Sequence, residues 1–482
     1  MAKIPSPREP GLRQGTDGWR RWLRLGLFLV LATLAIAFSR WLILALLIVL
    51  GLWPAVLLLG LVVLAVVSIW RGGWPWMKNW LSTRLRGLVV PALAVLTALL
   101  IGALVLMFTD QEVYQALGQG QVGEALRLGV GNLLRAYGAL YEGALGNPMG
   151  IVDAIGETLS GADGLKPLLR ALRGPSDSLV KSVPYIFAGL AVALGFRAGL
   201  FNIGAEGQIG IGWLVAVVAG FSFSGLPAVI HLPLAILAGA VAAGIWAGVA
   251  GLLKARTGAH EVITTIMMNY ITFRLSEWLL CGPLEFTQGT CRTQEIAQSA
   301  YLPRFLDHPV TVHWGFILAL LAAVATGWFL FRTTWGFELR TVGANPNAAR
   351  YGGMKVGLTY VVAMFLSGAL AGLAGVSQGL GITHNIALGF QAGYGFDSIA
   401  LALLGKSHPA GVVAASILFG MLRAGASRMQ SVAGVPTEIV QIVQALVIVF
   451  IAAPAIIRAL YRLRHDRREE AEAAVFSRGW GS

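Results

Sequence analysis

The chain has 482 residues, of which 56% are hydrophobic and only 12% charged, with a mean hydropathy of +0.72. A soluble domain carries about 25% charged residues, so this composition excludes an ordinary soluble protein and predicts one built into the lipid bilayer. The net charge of +13 does not mark a nucleic-acid binder, because Lys and Arg lie in short segments beside apolar runs, where they set topology, not on one soluble face.

Residues 1–21 are polar and basic, with Lys3, Arg8, Arg13, Arg20 and Arg21, and read as a cytoplasmic arm. The apolar run from Trp22 contains Ala35, Ile36 and Ala37, which resemble a signal-peptidase site. The run resumes after a single Arg40, so a helical hairpin of spans at 23–38 and 42–69 is the better reading, with Arg40 at its outer turn. Residues 71–87 carry Arg71, Lys78, Arg84 and Arg86 and no acid, a cytoplasmic signature, and a third span at 88–108 crosses outward. Residues 109–182 hold eight acids against six bases. They read as a periplasmic, interfacial segment with short amphipathic helices such as 123–140.

The conspicuous stretch is 195–212, GFRAGLFNIGAEGQIGIG. It sets Arg197, Asn202, Glu206 and Gln208 among six glycines between two apolar runs. Polar groups near hydrocarbon are costly and usually face a protein interior or a water-filled path. A glycine-broken helix carrying them has the signature of a transport site; the plainer alternative is a cytoplasmic loop. Glu206 follows Asn202 by four residues, so the two can share a helical face. Either Glu206 lines the path, or it caps its own helix or pairs with Arg197.

Spans at 206–223 and 228–252 follow, and Lys254 and Arg256 mark a cytoplasmic turn. The next span starts near His260 and Glu261 and carries Asn269. Cys281 and Cys291, the only cysteines, bracket a polar loop on the periplasmic side. They either form a disulfide there or leave Cys281 at a helix end with Cys291 free. No CxxC pair or Cys/His cluster has metal spacing, so no metal is expected.

After a span at 312–331, residues 332–356 form a cytoplasmic loop containing a compact helix signal: Asn345 as N-cap, Pro346 at the first helical position and Gly352 as the stop. Such a helix is either a docking element, with Ala348 and Ala349 small enough for close approach, or a surface turn. After a span at 357–377, residues 393–397, with Phe396 and Asp397, precede a short apolar run ending at Gly405 and Lys406, too short to cross ~30 Å as a straight helix and therefore a half-helix or a tilted, broken one. Its opening is a weak repeat of 199–202. Spans at 410–426 and 437–457 lead to a basic cytoplasmic tail, for about twelve crossings and both ends inside. Gly244 with Gly248 and Gly368 with Gly372 form small-xxx-small faces. Residues 400–407 look like the end of a P-loop, but the first glycine is missing and Pro409 follows. The chain has no visible nucleotide site, cofactor or catalytic constellation.

Four ordered blocks carry a family likeness: 201–208 (FNIGAEGQ), 258–263 (GAHEVI), 340–349 (RTVGANPNAA) and 395–405 (GFDSIALALLG). Together they resemble the permease subunits of ABC transporters, in the branch that imports nucleosides, related to ribose and branched-chain amino-acid permeases. The resemblance implies an all-α, polytopic membrane protein of about 10–12 transmembrane helices, with broken helices at the translocation path. It implies a core over 88–460, preceded by an arm and a two-span extension (1–87) and followed by a cytoplasmic tail (461–482). Residues 161–178 look like an insertion.

The path candidates are Asn202, Glu206, Gln208, Asn269, Phe396 and Asp397. Asn345, Pro346, Ala348, Ala349 and Gly352 would form the coupling helix. The implied partners are an ATP-hydrolysing ABC subunit, a second permease subunit (identical or different) and a periplasmic or lipoprotein solute-binding protein, all at a bacterial inner membrane. A branched-chain amino-acid or simple-sugar permease, and a gradient-driven transporter using Glu206 and Asp397, are the competing readings. A membrane enzyme is disfavoured.

Overall fold

A computed structural model describes residues 39–57, 60, 74–161 and 164–462. The expected arm, the first span of the hairpin, the end of the second and the tail beyond 462 lie outside the described residues. Among the described residues the architecture is all-α: helices and turns with only two isolated β-bridges. Among the described residues, seven helices are long and apolar enough to cross a membrane.

In chain order the helices are α1 (Ser39–Gly51), α2 (Trp74–Thr109), α3 (Gln111–Gly118), α4 (Val122–Leu145), α5 (Pro148–Ser160), α6 (Lys166–Ala171), α7 (Arg173–Arg197), α8 (Ala205–Ser222), α9 (Ala228–Thr257), α10 (Glu261–Leu280), α11 (Gly315–Arg332), α12 (Thr334–Ala344), α13 (Pro346–Tyr351), α14 (Val356–Gln378), α15 (Tyr394–Leu404), α16 (Pro409–Ala433), α17 (Thr437–Ala452) and α18 (Pro454–Leu460).

The bundle is centred on α7 and α8, the helices on either side of the glycine-rich break. The apolar windows of α7 and α8 are 89% and 78% buried, against 22% for the spanning part of α2 and 28% for α9, which lie at the rim of the described bundle. Lipid is as apolar as a leucine side chain, so helices in a membrane associate through close packing of small residues. The two small-xxx-small faces meet in this way. A methyl group added at Gly368 would overlap Ala247, one at Gly372 would overlap Ala243, and one at Gly244 would lie 3.0 Å from Phe365.

Three elements differ from the sequence expectation. The third span is expected at 88–108, yet helix α2 already begins at Trp74 and runs on into it. Residues 123–140 were expected to lie on the membrane surface, but α4 packs along α16. Its small residues Ala125, Gly129, Ala136, Ala139 and Gly143 repeat at helical spacing and are buried; a methyl at Gly143 would lie 3.0 Å from the Gly425 Cα. Helix α7 begins at Arg173 and not near 183, so Pro175, Ser176 and Ser178 are buried in its first turns. Arg40 Nε donates to the Phe305 carbonyl at 2.8 Å, in the loop between α10 and α11.

Candidate functional site

The break between α7 and α8 spans residues 198–204, and α10 and α14 are tied to it. Gly199 has φ +69, a left-handed conformation that glycine adopts without strain. Asn202 is 1% exposed. Its amide pairs with that of Gln208 in both directions at 2.9 Å, donates to Ser367 Oγ on α14 at 2.9 Å, and accepts from the Gly204 N–H at 3.0 Å. Asn269 on α10 accepts from the Gly207 N–H at 2.8 Å and donates to the Ile203 carbonyl at 2.9 Å. Glu261 joins the same region: Lys254 Nζ donates to it at 2.5 Å, and its other oxygen lies 3.5 Å from the Phe201 nitrogen. Asn202, Gln208 and Asn269 therefore satisfy one another and the broken backbone, as buried polar groups must.

Glu206 neither caps its own helix nor pairs with Arg197. Its two carboxylate oxygens accept the N–H groups of Gly393, at 2.9 Å, and Gly395, at 2.5 Å, at the start of half-helix α15. Gly395 permits the approach, since a methyl there would lie 2.6 Å from the Glu206 Cα. Arg197 serves the other end of α15. Its Nε donates to the Ser407 carbonyl at 3.0 Å and its Nη2 to the Lys406 carbonyl at 3.1 Å. A helix carries roughly half a positive charge at its N-terminus and half a negative charge at its C-terminus. A carboxylate and a guanidinium from one short stretch of chain thus complement both ends of one half-helix. The P-loop-like Gly405, Lys406 and Ser407 are the turn that receives Arg197, with Lys406 and Ser407 at φ +52 and +48.

Asp397 and Phe396 lie in the first turn of α15. The Tyr185 hydroxyl donates to Asp397 Oδ2 at 2.9 Å, and Arg423 Nη1 donates to that hydroxyl at 2.7 Å. Arg423 Nη2 donates to the Ala392 carbonyl at 2.9 Å, and its guanidinium lies 4.6 Å from the Tyr394 ring centroid. Lys181 donates to Ser427 Oγ at 2.7 Å on the next turn of α16. Arg423 escaped the sequence reading; the signal that marks it is a lone arginine within an otherwise apolar run. Asp397 and Arg423 are only partly buried, with side chains 29% and 30% exposed and 3.8 Å apart. Phe396 is 48% exposed and Leu403 is 39% exposed. With half-buried Ile399 they form one stripe of α15 that the described residues leave partly uncovered.

At one end of the bundle, α13 is the capped helix expected from the sequence. Asn345 Oδ1 accepts from the N–H groups of Asn347 and Ala348, each at 3.0 Å, Pro346 opens the helix and Gly352 closes it. The left-handed glycine is Gly353, one residue further on, at φ +80. Ala348 and Tyr351 are exposed, Tyr351 at 97%. Ala349 does not offer a surface for close approach by a partner: it is fully buried and packs with Val342 and Val356 against the permease body. A six-residue helix has one inward face, and Ala349 is on it.

At the opposite end of the bundle, Cys281 and Cys291 form a disulfide with Cα atoms 4.2 Å apart. The strand-like segment that follows pairs with the loop leading to α15. The Leu388 N–H donates to the Cys291 carbonyl at 3.0 Å, the Thr293 N–H to the Ile386 carbonyl at 3.0 Å and the Ile296 N–H to the His384 carbonyl at 2.9 Å. Nearby, buried His313 accepts the Gly315 N–H on Nδ1 at 3.1 Å. Burial first, then the charge of Arg304, lowers its pKa to about 4.

The family model for branched-chain amino acid transport system permease components matches residues 174–452. The chain is 40% identical over 381 residues to the guanosine ABC transporter permease protein NupP of Bacillus subtilis, covering 78% of this chain and 96% of that relative. It is 38% identical over 288 residues to the glucose ABC transporter permease protein TsgB13 of Haloferax volcanii, covering 58% and 76% of the two chains. It is 34% identical over 302 residues to the nucleoside ABC transporter permease protein NupB of Lactococcus lactis, covering 61% and 82%. No solved structure matches. With its break, half-helix and buried polar ties all inside the matched region, the chain belongs to the branched-chain amino acid transport system permease-component family, as a multi-pass membrane permease of the ABC type.

Proposed function

We propose that this permease forms the path by which an ATP-driven importer takes up nucleosides across a bacterial inner membrane. The likeness to the guanosine permease of Bacillus subtilis over 96% of that protein's length is the observation that carries the reading. ATP hydrolysis belongs to a separate subunit docked on α13, where Ala348 and Tyr351 face outward beside the cap residues Asn345, Pro346 and Gly352. A solute-binding protein delivers the nucleoside from outside. A second permease subunit covers the open stripe of α15, and the path runs between the two. The core over 88–460 is the transport unit; residues 1–87 are an added arm and hairpin, and 461–482 a cytoplasmic tail.

Within the path, Phe396 offers a phenyl face to the base and Asp397 a carboxylate to the sugar hydroxyls. Asn202, Glu206, Gln208 and Asn269 act one layer behind, holding the break in shape. A sugar permease is the second reading, favoured by the 38% identity to the glucose permease; the ribose of a nucleoside and a free sugar present the same hydroxyl chemistry to Asp397. A gradient-driven transporter is less well supported, because Glu206 is committed to two backbone N–H groups. The test is uptake of labelled guanosine, uridine, ribose and glucose by cells lacking the chromosomal permease. Restored nucleoside uptake supports the proposal. Restored glucose uptake alone replaces it with the second reading.

A further inference from the structure

We propose that Arg197 and Glu206 are positioning residues that grip half-helix α15 at its two ends and carry movement of the α12–α13 segment to it. The inference rests on the reading of α13 as the docking element for the ATPase subunit.

The residues that join the two regions are in direct contact. Gly343, near the end of α12, packs on the backbone of the break: a methyl added there would overlap the Arg197 carbonyl and lie 2.8 Å from the Gly199 nitrogen. In return, a methyl at Gly199 would lie 3.0 Å from the Gly343 Cα. Two backbones this close, with no side chain between them, move together, because packed interfaces shift between discrete arrangements and do not deform continuously. Gly343 stands two residues before Asn345, the N-cap of α13, so a displacement of α13 is applied almost directly to 197–199.

Arg197 leads that displacement on to α15. It is bound to the carbonyls of both Lys406 and Ser407, in the turn that closes the half-helix at Gly405, and its guanidinium also lies 5.9 Å from the Phe331 ring centroid. Glu206 fixes the other end through Gly393 and Gly395. Since Arg197 and Glu206 flank a single break, a rotation of the break moves both ends of α15 in concert. The half-helix then turns as a rigid rod and presents or withdraws the stripe of Phe396, Ile399 and Leu403.

The experiment uses the assembled transporter, with its ATPase and partner subunits, in proteoliposomes. Leu403→Cys is the reporter, since the two native cysteines are joined to each other. The alkylation rate with N-ethylmaleimide is read with and without ATP plus vanadate. In the reporter background the rate should change on nucleotide trapping. Arg197→Gln removes two donors, and Glu206→Gln places an amide donor against a backbone donor. Each should abolish that change while ATPase association and hydrolysis persist, and transport per ATP should fall roughly 10- to 100-fold, the scale of loss when a positioned group shifts by about 1 Å.

Arg197→Lys keeps the charge with a single donor point and should give an intermediate response, a check that holds if a Gln variant assembles poorly. A purely structural role would lower yield and melting temperature without altering the nucleotide response of the assembled fraction, and that outcome overturns the proposal. An undiminished response in the variants also overturns it, while leaving the docking role of α13 intact. Absence of ATPase association and of any nucleotide response in the unmutated reporter would remove the docking reading and the relay together.

Discussion

Two neighbouring alanines on α13 should respond to the same substitution in opposite ways. Ala349 is 0% exposed and sits among Val342, Val356, Met354 and Tyr360. Glutamate there buries an unpaired carboxylate, which costs about 3–5 kcal/mol when no partner charge is present, and overfills a site built for one methyl, which adds about 1–3 kcal/mol. Ala348, one residue earlier, is exposed, and the same change should alter stability by no more than about 0.5 kcal/mol. Ala349→Glu should therefore lower the melting temperature of the purified permease and unravel α13. Ala348→Glu should leave the melting temperature unchanged and weaken capture of the ATPase subunit. Both are read by thermal melting in detergent and by co-purification with that subunit. Equal melting temperatures for the two variants would refute the packing argument. Undiminished ATPase capture by Ala348→Glu would refute the assignment of the outward face.

Tyr351, 97% exposed beside that face, should behave as an anchor: Tyr351→Ala should reduce ATPase capture roughly tenfold or more, the scale of an interface hot spot, and wild-type capture would exclude it. Replacing both Cys281 and Cys291 by serine opens a loop of sequence separation 10 and should lower stability by ~2–3 kcal/mol, seen as a lower melting temperature that reductant reproduces in the native protein; no shift in either case would remove the staple from the account. His313 is held neutral, at about 4 against an ordinary 6.5. Above pH 6.5 both folded and unfolded states are neutral at this group; between 6.5 and 4 only the unfolded chain takes the proton, so stability should fall by up to ~3 kcal/mol on acidification through that window. His313→Phe should flatten that part of the profile, and an unchanged profile would contradict the burial argument. Phe396→Ala should slow nucleoside transport roughly tenfold, as expected for losing an aromatic stacking contact of about 1–3 kcal/mol, without altering the melting temperature. Asp397→Asn should likewise spare stability, since its partly exposed pair with Arg423 is worth only about 1 kcal/mol or less, and shift preference among sugars and nucleosides; unchanged selectivity would remove Asp397 from the path.

The half-helix was legible in the sequence because a run of this length between Gly393 and Gly405 cannot span the bilayer. The break at 198–204 was legible because glycines and polar groups interrupt apolar sequence there. The partner of Glu206 was not, since Gly395 lies 189 residues away and no local spacing announces it; intrachain candidates such as Arg197 were nearer and chemically plausible. Arg423 was missed because the span was expected to end at 426, where an arginine looks like a terminal charge. The helix in fact runs on to Ala433, which places that guanidinium beside the first turn of α15. The inward turn of Ala349 was equally hidden, since the phase of a six-residue helix is fixed only by what packs beneath it. Conversely, the helix over 123–140 was legible, and only its partner was misjudged: Gly143 packs on α16 and Ala125 and Gly129 on α2 and α3, not on the membrane surface.

The central claim is that this permease moves nucleosides at the expense of ATP. Its most direct test is uptake of labelled guanosine into proteoliposomes holding the permease with its ATPase and partner subunits, ATP inside and the solute-binding protein outside. Accumulation is expected to require internal ATP, to persist when proton and sodium gradients are collapsed, and to be competed by other nucleosides more strongly than by glucose. Accumulation driven by an ion gradient without ATP, or ATP-driven accumulation of glucose with no guanosine uptake, would contradict it.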